Sequence, residues 1–252
     1  MTPFLRFEWG SEEYSRAFGC LLRCSDERAA LVPLLEQQLA ELSSTSVAVD
    51  WGAGSGDLTR LLARRCPNTF AVEPSRAMRA ILRGRLPSVT LLEGDLRTAA
   101  PPTAVDFALL AHVLYHLPDE EWHLLVERLL EHLQPRGRLC VVMKSGLSGC
   151  RDMLEHFGAR GFDLQERLEP VTRGLQGATV RAVELPATIR STRYEDVEWI
   201  ARFMMCDRGE AEFASPPTEE DFACYVRSHF WDEVRGVGGW SYRVCVWTLT
   251  RA

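Results

Sequence analysis

Three glycines at alternate positions, Gly52, Gly54 and Gly56, follow directly on the apolar run Val47-Ala-Val-Asp50. Glycine there lets the backbone turn tightly and approach a ligand with no Cβ in the way. The third glycine comes one residue too early for the Gly-x-Gly-x-x-Gly spacing of a dinucleotide loop. No Lys-Ser/Thr follows, which excludes a Walker-type phosphate loop. Glu73, 21 residues beyond Gly52, ends a second apolar run, Thr69-Phe-Ala-Val. A carboxylate at that point can accept hydrogen bonds from both hydroxyls of a ribose and disfavours a 2′-phosphate. Loop, acid and strand–helix–strand context together point to a nucleoside cofactor. His112 follows a third apolar run, 105–110, at the carboxyl edge where α/β folds bind ligands. Histidine is a residue type suited to the work of a base.

The elements that must position these groups are legible as alternating patterns. Residues 1–45 have helical spacing, with Ser11 and Ser25 as N-caps and Leu31, Leu34, Leu35, Leu39 and Leu42 as the apolar stripe of a second helix. Strands are expected at 47–50, 69–73, 89–92, 105–110 and 138–143, interleaved with helices at 56–66, 75–84 and 119–133. Such alternation means a parallel sheet covered on both faces. Beyond Lys144 the spacing predicts helices at 148–158, 194–206 and 218–230 and strands at 179–190 and 241–250. Residues 1–10 and 207–217 lack apolar periodicity and are expected to be mobile without ligand. Trp199 and Phe203, four apart, read as a packing pair. His123, His132, His156 and His229 read as surface or packing residues, and the arginine-rich helix faces as solvated.

Composition bounds the function. The 252 residues carry 29 basic and 35 acidic side chains, a net charge of −6, and are 46% hydrophobic. That balance argues against a broad nucleic-acid surface and against docking on anionic membrane. No apolar stretch reaches the length of a membrane span and no signal peptide is evident, so a cytoplasmic location is expected. Eight cysteines without a Cys-x-x-Cys pair, and six histidines without ligand spacing, give no metal site. The cysteines read as reduced core hydrophobes.

Asp50-x-Gly-x-Gly-x-Gly56 resembles motif I of the class I S-adenosylmethionine-dependent methyltransferases. Val72-Glu73-Pro74-Ser75-x-x-Met78 resembles their second-strand segment, and Glu93-Gly94-Asp95-Leu96 the loop whose acid faces the adenine amino group. Ala111-His112-Val-Leu-Tyr115-His116 resembles the segment after strand four, and Leu133-Gln-Pro-Arg-Gly137 the turn into strand five. The resemblance implies a Rossmann-like, doubly wound α/β sheet of seven strands, mostly parallel, with an antiparallel last strand. It implies S-adenosyl-L-methionine as cofactor, S-adenosyl-L-homocysteine as its product, and no metal. Asp50, Gly52, Ala53, Gly54, Gly56, Glu73, Pro74, Met78, Asp95, Leu96 and Ala111 are the expected cofactor contacts.

Over nearly the full length the chain is similar to the histamine N-methyltransferase-like branch, through Tyr14-Ser-Arg-Ala-Phe18, Cys24-Ser-Asp-Glu27, Lys144-Ser145-Gly-Leu-Ser-Gly149, Phe157-Gly-Ala-Arg160 and 179–203. One domain is then expected: 1–45 an N-terminal helical lid, 46–145 the cofactor-binding core, and 146–252 an acceptor-side cap with the last strands. By that resemblance Glu27 holds the nitrogen of a small-molecule acceptor, and His112, the assigned base, faces it from the sheet edge. Tyr14, Phe18, Tyr115 and His116 line the pocket. Cys150 and Leu154 stand where the branch has two tryptophans, and a C-terminal contact falls near Tyr242 or Arg243. A small amine or nitrogen heterocycle, histamine-like or a secondary metabolite, is the expected acceptor, methylated at nitrogen. The alternatives are an O-methyltransferase acting on a phenol or carboxylate, and a catalytically silent cofactor-binding subunit. The residues leave the oligomeric state and the pathway open.

Overall fold

The computed structural model describes residues 2–8, 11–159, 164–175, 177–206, 213–214 and 217–252. Arg160 and most of the 207–217 loop lie outside the described residues. The chain orders α1 (Glu12–Cys24), α2 (Glu27–Ala40), β1 (Val47–Trp51), α3 (Asp57–Arg65), β2 (Asn68–Val72), α4 (Arg76–Arg85), β3 (Thr90–Leu92) and β4 (Val105–Ala111). Then come α5 (Trp122–Glu131), β5 (Leu133–Ser148), α6 (Gly149–His156), α7 (Leu164–Gly174), β6 (Ala178–Ser191), α8 (Tyr194–Cys206), α9 (Glu219–Phe230), β7 (Trp231–Asp232) and β8 (Val237–Arg251). Strands follow the order β3-β2-β1-β4-β5-β8-β6, with the short β7 paired to β8. The first five are parallel neighbours, and the last strand inserts antiparallel between β5 and β6.

The chain divides into two compact units. One holds Leu31–Lys144, Leu164–Glu184 and Cys245–Ala252; the other holds Met1–Ala30, Ser145–Asp163 and Leu185–Val244. In the former, Phe107, Ala108, Leu109 and Leu110 of β4 and Ala48, Val49 and Trp51 of β1 are inaccessible to solvent. Strands covered on both faces read as continuous apolar runs, which is why their positions were legible. The expected lid, 1–45, is shared between the units, its break falling within α2.

Several local expectations need correction. The structure opens β5 at Leu133, where 138 was expected, because pairing with β4 slips there: Val105 faces Leu133, yet Phe107 faces Arg138. The intervening Arg136 takes a left-handed φ of 65° and Gly137 lies against the Val105 carbonyl. Helix α7 and strand β7 were not foreseen. Ser11 does cap α1, accepting the Tyr14 N–H at 3.1 Å. Ser25 instead closes α1, its N–H donating to the Leu21 carbonyl, while its hydroxyl accepts the Glu27 N–H at 3.1 Å. Trp199 and Phe203 pack on separate partners: Trp199 stacks on Phe7, and Phe203 meets Tyr14 and Phe18.

Residues 2–8 were expected to be loose, but they are tied down. Arg202, 7% exposed, donates to the Leu5 carbonyl and to both oxygens of Glu219, at 3.1, 2.6 and 2.8 Å. Glu219 in turn accepts the Leu5 N–H. The guanidinium lies 4.9 and 4.7 Å from the ring centroids of Phe4 and Phe222, which meet each other edge-on at 5.0 Å.

Candidate active site

The glycine loop joins β1 to α3. Gly52 and Ala53 donate their N–H groups to the Val72 carbonyl at 2.8 and 3.0 Å, which folds the loop back over the end of β2. Gly52, with φ 84°, has no room for a side chain, since a Cβ would sit 2.4 Å from a methyl of Val113. Gly54, with φ 54°, is the opposite case: nothing lies within 4 Å of where its Cβ would be. That open face of backbone is the cradle a ligand could enter. Beside it, the Glu73 carboxylate accepts the Gly54 N–H with Oε2 and the Ser75 N–H with Oε1, each at 2.8 Å. A carboxylate has about four lone-pair sites, so these bonds orient Glu73 and leave capacity for hydroxyl donors. Glu73 is 7% exposed.

Asp50 is 2% exposed, and its Oδ2 accepts the Thr59 hydroxyl at 2.6 Å. Burial, with Glu73 adding repulsion, pushes its carboxyl up to about 7, while the Thr59 bond works the other way. Asp50 therefore braces the loop from beneath. Ala53 packs with Ala71, Leu82 and Val89 in the core under the loop, and Gly56 caps α3 with φ 86°, hard against Leu82. Pro74 is exposed and Met78, in the first turn of α4, half-buried. Asp95 spends Oδ1 on its own turn, accepting the Arg97 and Thr98 N–H groups and the Thr98 hydroxyl. These bonds, the Thr98 hydroxyl first, hold its carboxyl below the usual range. Leu96 behind it is buried.

Strand β4 ends at Ala111, and His112 turns the chain with φ 57°, a left-handed conformation uncommon for a side chain of this size. Its N–H donates to the Val142 carbonyl at 2.8 Å. Because the next residue, Val113, fills the space above Gly52, the histidine turn rests directly on the glycine loop. A 3₁₀ turn, Leu114–His116, follows. Tyr115 is half-buried and His116 exposed.

In the other unit, Tyr14 and Phe18 of α1 pack on Phe203 with centroids 5.0 and 6.0 Å apart, Phe18 remaining 37% exposed. Cys150 and Leu154 lie on α6, the first half-buried and the second buried. Glu27 opens α2, and its Oε2 accepts the Tyr242 hydroxyl at 2.9 Å; that hydroxyl also lies 2.6 Å from Ser25 Oγ. Tyr242 is 4% exposed, and burial together with Glu27 holds its phenol well above the ordinary range.

Val113 and Thr59 escaped the sequence, and only Val113, adjacent to His112, had a positional hint. All eight cysteines are free thiols. Among the described residues no three of His, Cys, Asp and Glu gather as metal ligands, and no helix is long and apolar enough to cross a membrane.

Known proteins are similar to parts of this sequence and to its fold. Residues 48–137 match the family model described as a methyltransferase domain. An uncharacterized methyltransferase of Oceanobacillus iheyensis is 33% identical over 105 residues, 40% of this chain and 49% of that protein. A trans-aconitate 2-methyltransferase of Azoarcus sp. is 32% identical over 137 residues, 54% of this chain and 50% of that protein. The chain spans about half the length of the curated relatives it matches. The YcgJ protein of Bacillus subtilis superimposes with a TM-score of 0.58 at 13% identity, covering 87% of this chain and 97% of that one. A putative methyltransferase of Bacillus halodurans gives 0.55 at 14% identity, covering 86% and 97%. The matched segment runs from β1 into β5, through the glycine loop, Glu73 and His112, so residues 48–137 are similar to a methyltransferase domain.

Proposed function

We propose that the chain is an S-adenosylmethionine-dependent methyltransferase acting on a small-molecule acceptor. The observation that carries this is the open backbone face at Gly54 beside a Glu73 carboxylate already oriented by the Gly54 and Ser75 N–H groups. Glu73 would take the ribose hydroxyls, Ala53, Gly54 and Met78 would bound the cofactor, and Asp95 and Leu96 would meet its adenine. When bound, S-adenosylmethionine supplies an electrophilic sulfonium methyl, which passes to the acceptor's lone pair while the electron pair of the broken bond stays on sulfur. The protein's part is to hold the acceptor in line and exclude water, which contributes several kcal/mol by orientation.

For the acceptor, a nitrogen of a small amine or heterocycle remains the first choice, supported by Glu27, whose carboxylate is anchored by Tyr242 and presents negative charge. Tyr14 and Phe18 would supply aromatic surface, and Cys150 and Leu154 a smaller wall. A carboxylate is the second choice, supported by the relative named a trans-aconitate 2-methyltransferase. Incubation with methyl-radiolabelled cofactor and a panel of amines, imidazoles, phenols and carboxylates separates them. Label in an amine or imidazole supports the first choice and label in a carboxylate the second. Cofactor binding with no transfer to any acceptor would indicate a silent subunit.

A further inference from the structure

Helix α4 meets the proposed cofactor site at both of its ends. At the N-terminus its cap, Ser75, donates its N–H to Glu73 Oε1 at 2.8 Å, and Arg79 donates through Nη1 to the Glu73 carbonyl at 3.3 Å. At the C-terminus the guanidinium of Arg85 bridges two acceptors at the end of the glycine loop. Its Nη1 donates to the Ser55 carbonyl at 3.0 Å and its Nη2 to Asp57 Oδ1 at 2.8 Å. The second Asp57 oxygen, Oδ2, accepts the Ser55 hydroxyl at 3.1 Å. Methyls of Leu82 and Leu86 lie 2.3 and 3.1 Å from where a Gly56 Cβ would be, so the loop rests on the same helix. Ser55 stands between Gly54 and Gly56, both left-handed, with φ 54° and 86°. Glycine has the widest backbone freedom of any residue, so the shape of this stretch depends on what grips Ser55. A guanidinium suits that work, because its planar fork fixes two acceptors at once.

We propose that Arg85 is a positioning residue: by clamping Ser55 and Asp57 it keeps the open backbone face at Gly54 set beside Glu73 before the cofactor arrives. One helix then places the ribose acid from its first turn and the glycine loop from its last. The inference rests on the methyltransferase reading and concerns how that same site is preorganised. A loop that holds its binding shape only part of the time binds more weakly by that fraction. The Arg85–Asp57 pair keeps 38% and 22% side-chain exposure, and such pairs contribute little to global stability. Loss of the clamp is therefore expected in ligand affinity and loop order, with the melting temperature close to that of the wild type.

Ala53-Gly54 is the only Ala-Gly step in the sequence, so carbon-13 in the alanine carbonyls with nitrogen-15 in the glycines singles out the Gly54 amide. Its relaxation in the ligand-free wild type should give an order parameter of about 0.85, that of rigid backbone. In Arg85→Gln the value should fall below about 0.6, and saturating S-adenosylmethionine should restore it. If the freed loop holds its binding shape about a tenth of the time, the calorimetric Kd for S-adenosylmethionine rises about tenfold. Arg83→Gln removes the same charge from an exposed position on the same helix and should bind as the wild type does. A mobile Gly54 amide in the ligand-free wild type overturns the proposal whether or not the variant folds. A folded Arg85→Gln with unchanged order and affinity overturns it too, and so does an equal loss in Arg83→Gln, which would trace the effect to net charge. A wild type that does not bind S-adenosylmethionine would remove the methyltransferase reading and leave the relaxation result standing.

Discussion

Asp50, near the end of β1 below the glycine loop, has a strongly raised carboxyl, and the sign of its effect is fixed by where its proton sits. A carboxyl pushed from 3.8 to about 7 by burial binds its proton more tightly in the folded chain than in the unfolded one. The stability this contributes is fully present below about pH 3.8 and is lost as pH rises through about 7. Unfolding by denaturant between about pH 4.5 and 6.5 should show Asp50 contributing a decline of up to about 1.4 kcal/mol per pH unit, and Asp50→Asn should abolish that component. Equal slopes in wild type and variant would mean the carboxyl is not raised. The glycines offer a second test at the same scale. Gly54→Ala should cost only the left-handed backbone penalty of about 1–2 kcal/mol, because its Cβ meets nothing, yet it should weaken S-adenosylmethionine binding. Gly52→Ala adds the collision with Val113 and should lose roughly 1–3 kcal/mol more. Thermal melts and calorimetry on the two variants separate these effects; the reverse ranking would misplace the cradle.

At the scale of elements, the parallel half was legible because each strand is a short, mainly apolar run and the helices between them are amphipathic. Helix α8 was located to the residue. What escaped had a physical cause in each case. Helix α7 contains Pro170, which reads as a breaker although the helix accommodates it. The start of β5 contains Pro135 and Gly137, and the ladder is irregular there. Residues 2–8 show no periodicity because their order comes from partners two hundred residues away on α8 and α9. In the site, Glu73 and the glycine loop were recognisable from type and spacing, whereas the left-handed turn at His112 and the Tyr242–Glu27 bond arise only once the chain is folded. The N-terminal segment supplies the test at this scale. Glu219→Gln removes a charge from Arg202 and should cost about 1–3 kcal/mol, less than a fully buried pair because Glu219 keeps 31% of its side-chain exposure. The Arg202 hydrogen bond holds the Glu219 carboxyl below its usual 4.5. Its contribution is therefore present above about pH 4.5 and lost as pH falls below it, and the variant should show a flatter acid limb in a melt series. Unchanged stability at pH 7 would mean the segment is held by its aromatic contacts alone.

For the molecule as a whole, the unit built on Leu31–Lys144 holds the glycine loop, Glu73, Asp95, His112 and Tyr115, and the other holds Tyr14, Phe18, Glu27 and Tyr242. A ligand that binds only the folded state stabilises it by mass action, so about 100 Kd of S-adenosylmethionine should raise stability by about 2.7 kcal/mol. The most direct test of the central claim is calorimetric titration of S-adenosylmethionine into the wild type and into Glu73→Ala, with folding checked by circular dichroism. Glu73 would lose charge-assisted bonds to the ribose worth about 1.5–3 kcal/mol, and it also orients Gly54 and Ser75. Saturable binding by the wild type and a loss of at least tenfold in the variant are expected, with no measurable binding of NADH. A wild type that does not bind S-adenosylmethionine, or a folded Glu73→Ala that binds it as tightly as the wild type, would contradict the assignment of the glycine loop and Glu73 as its site.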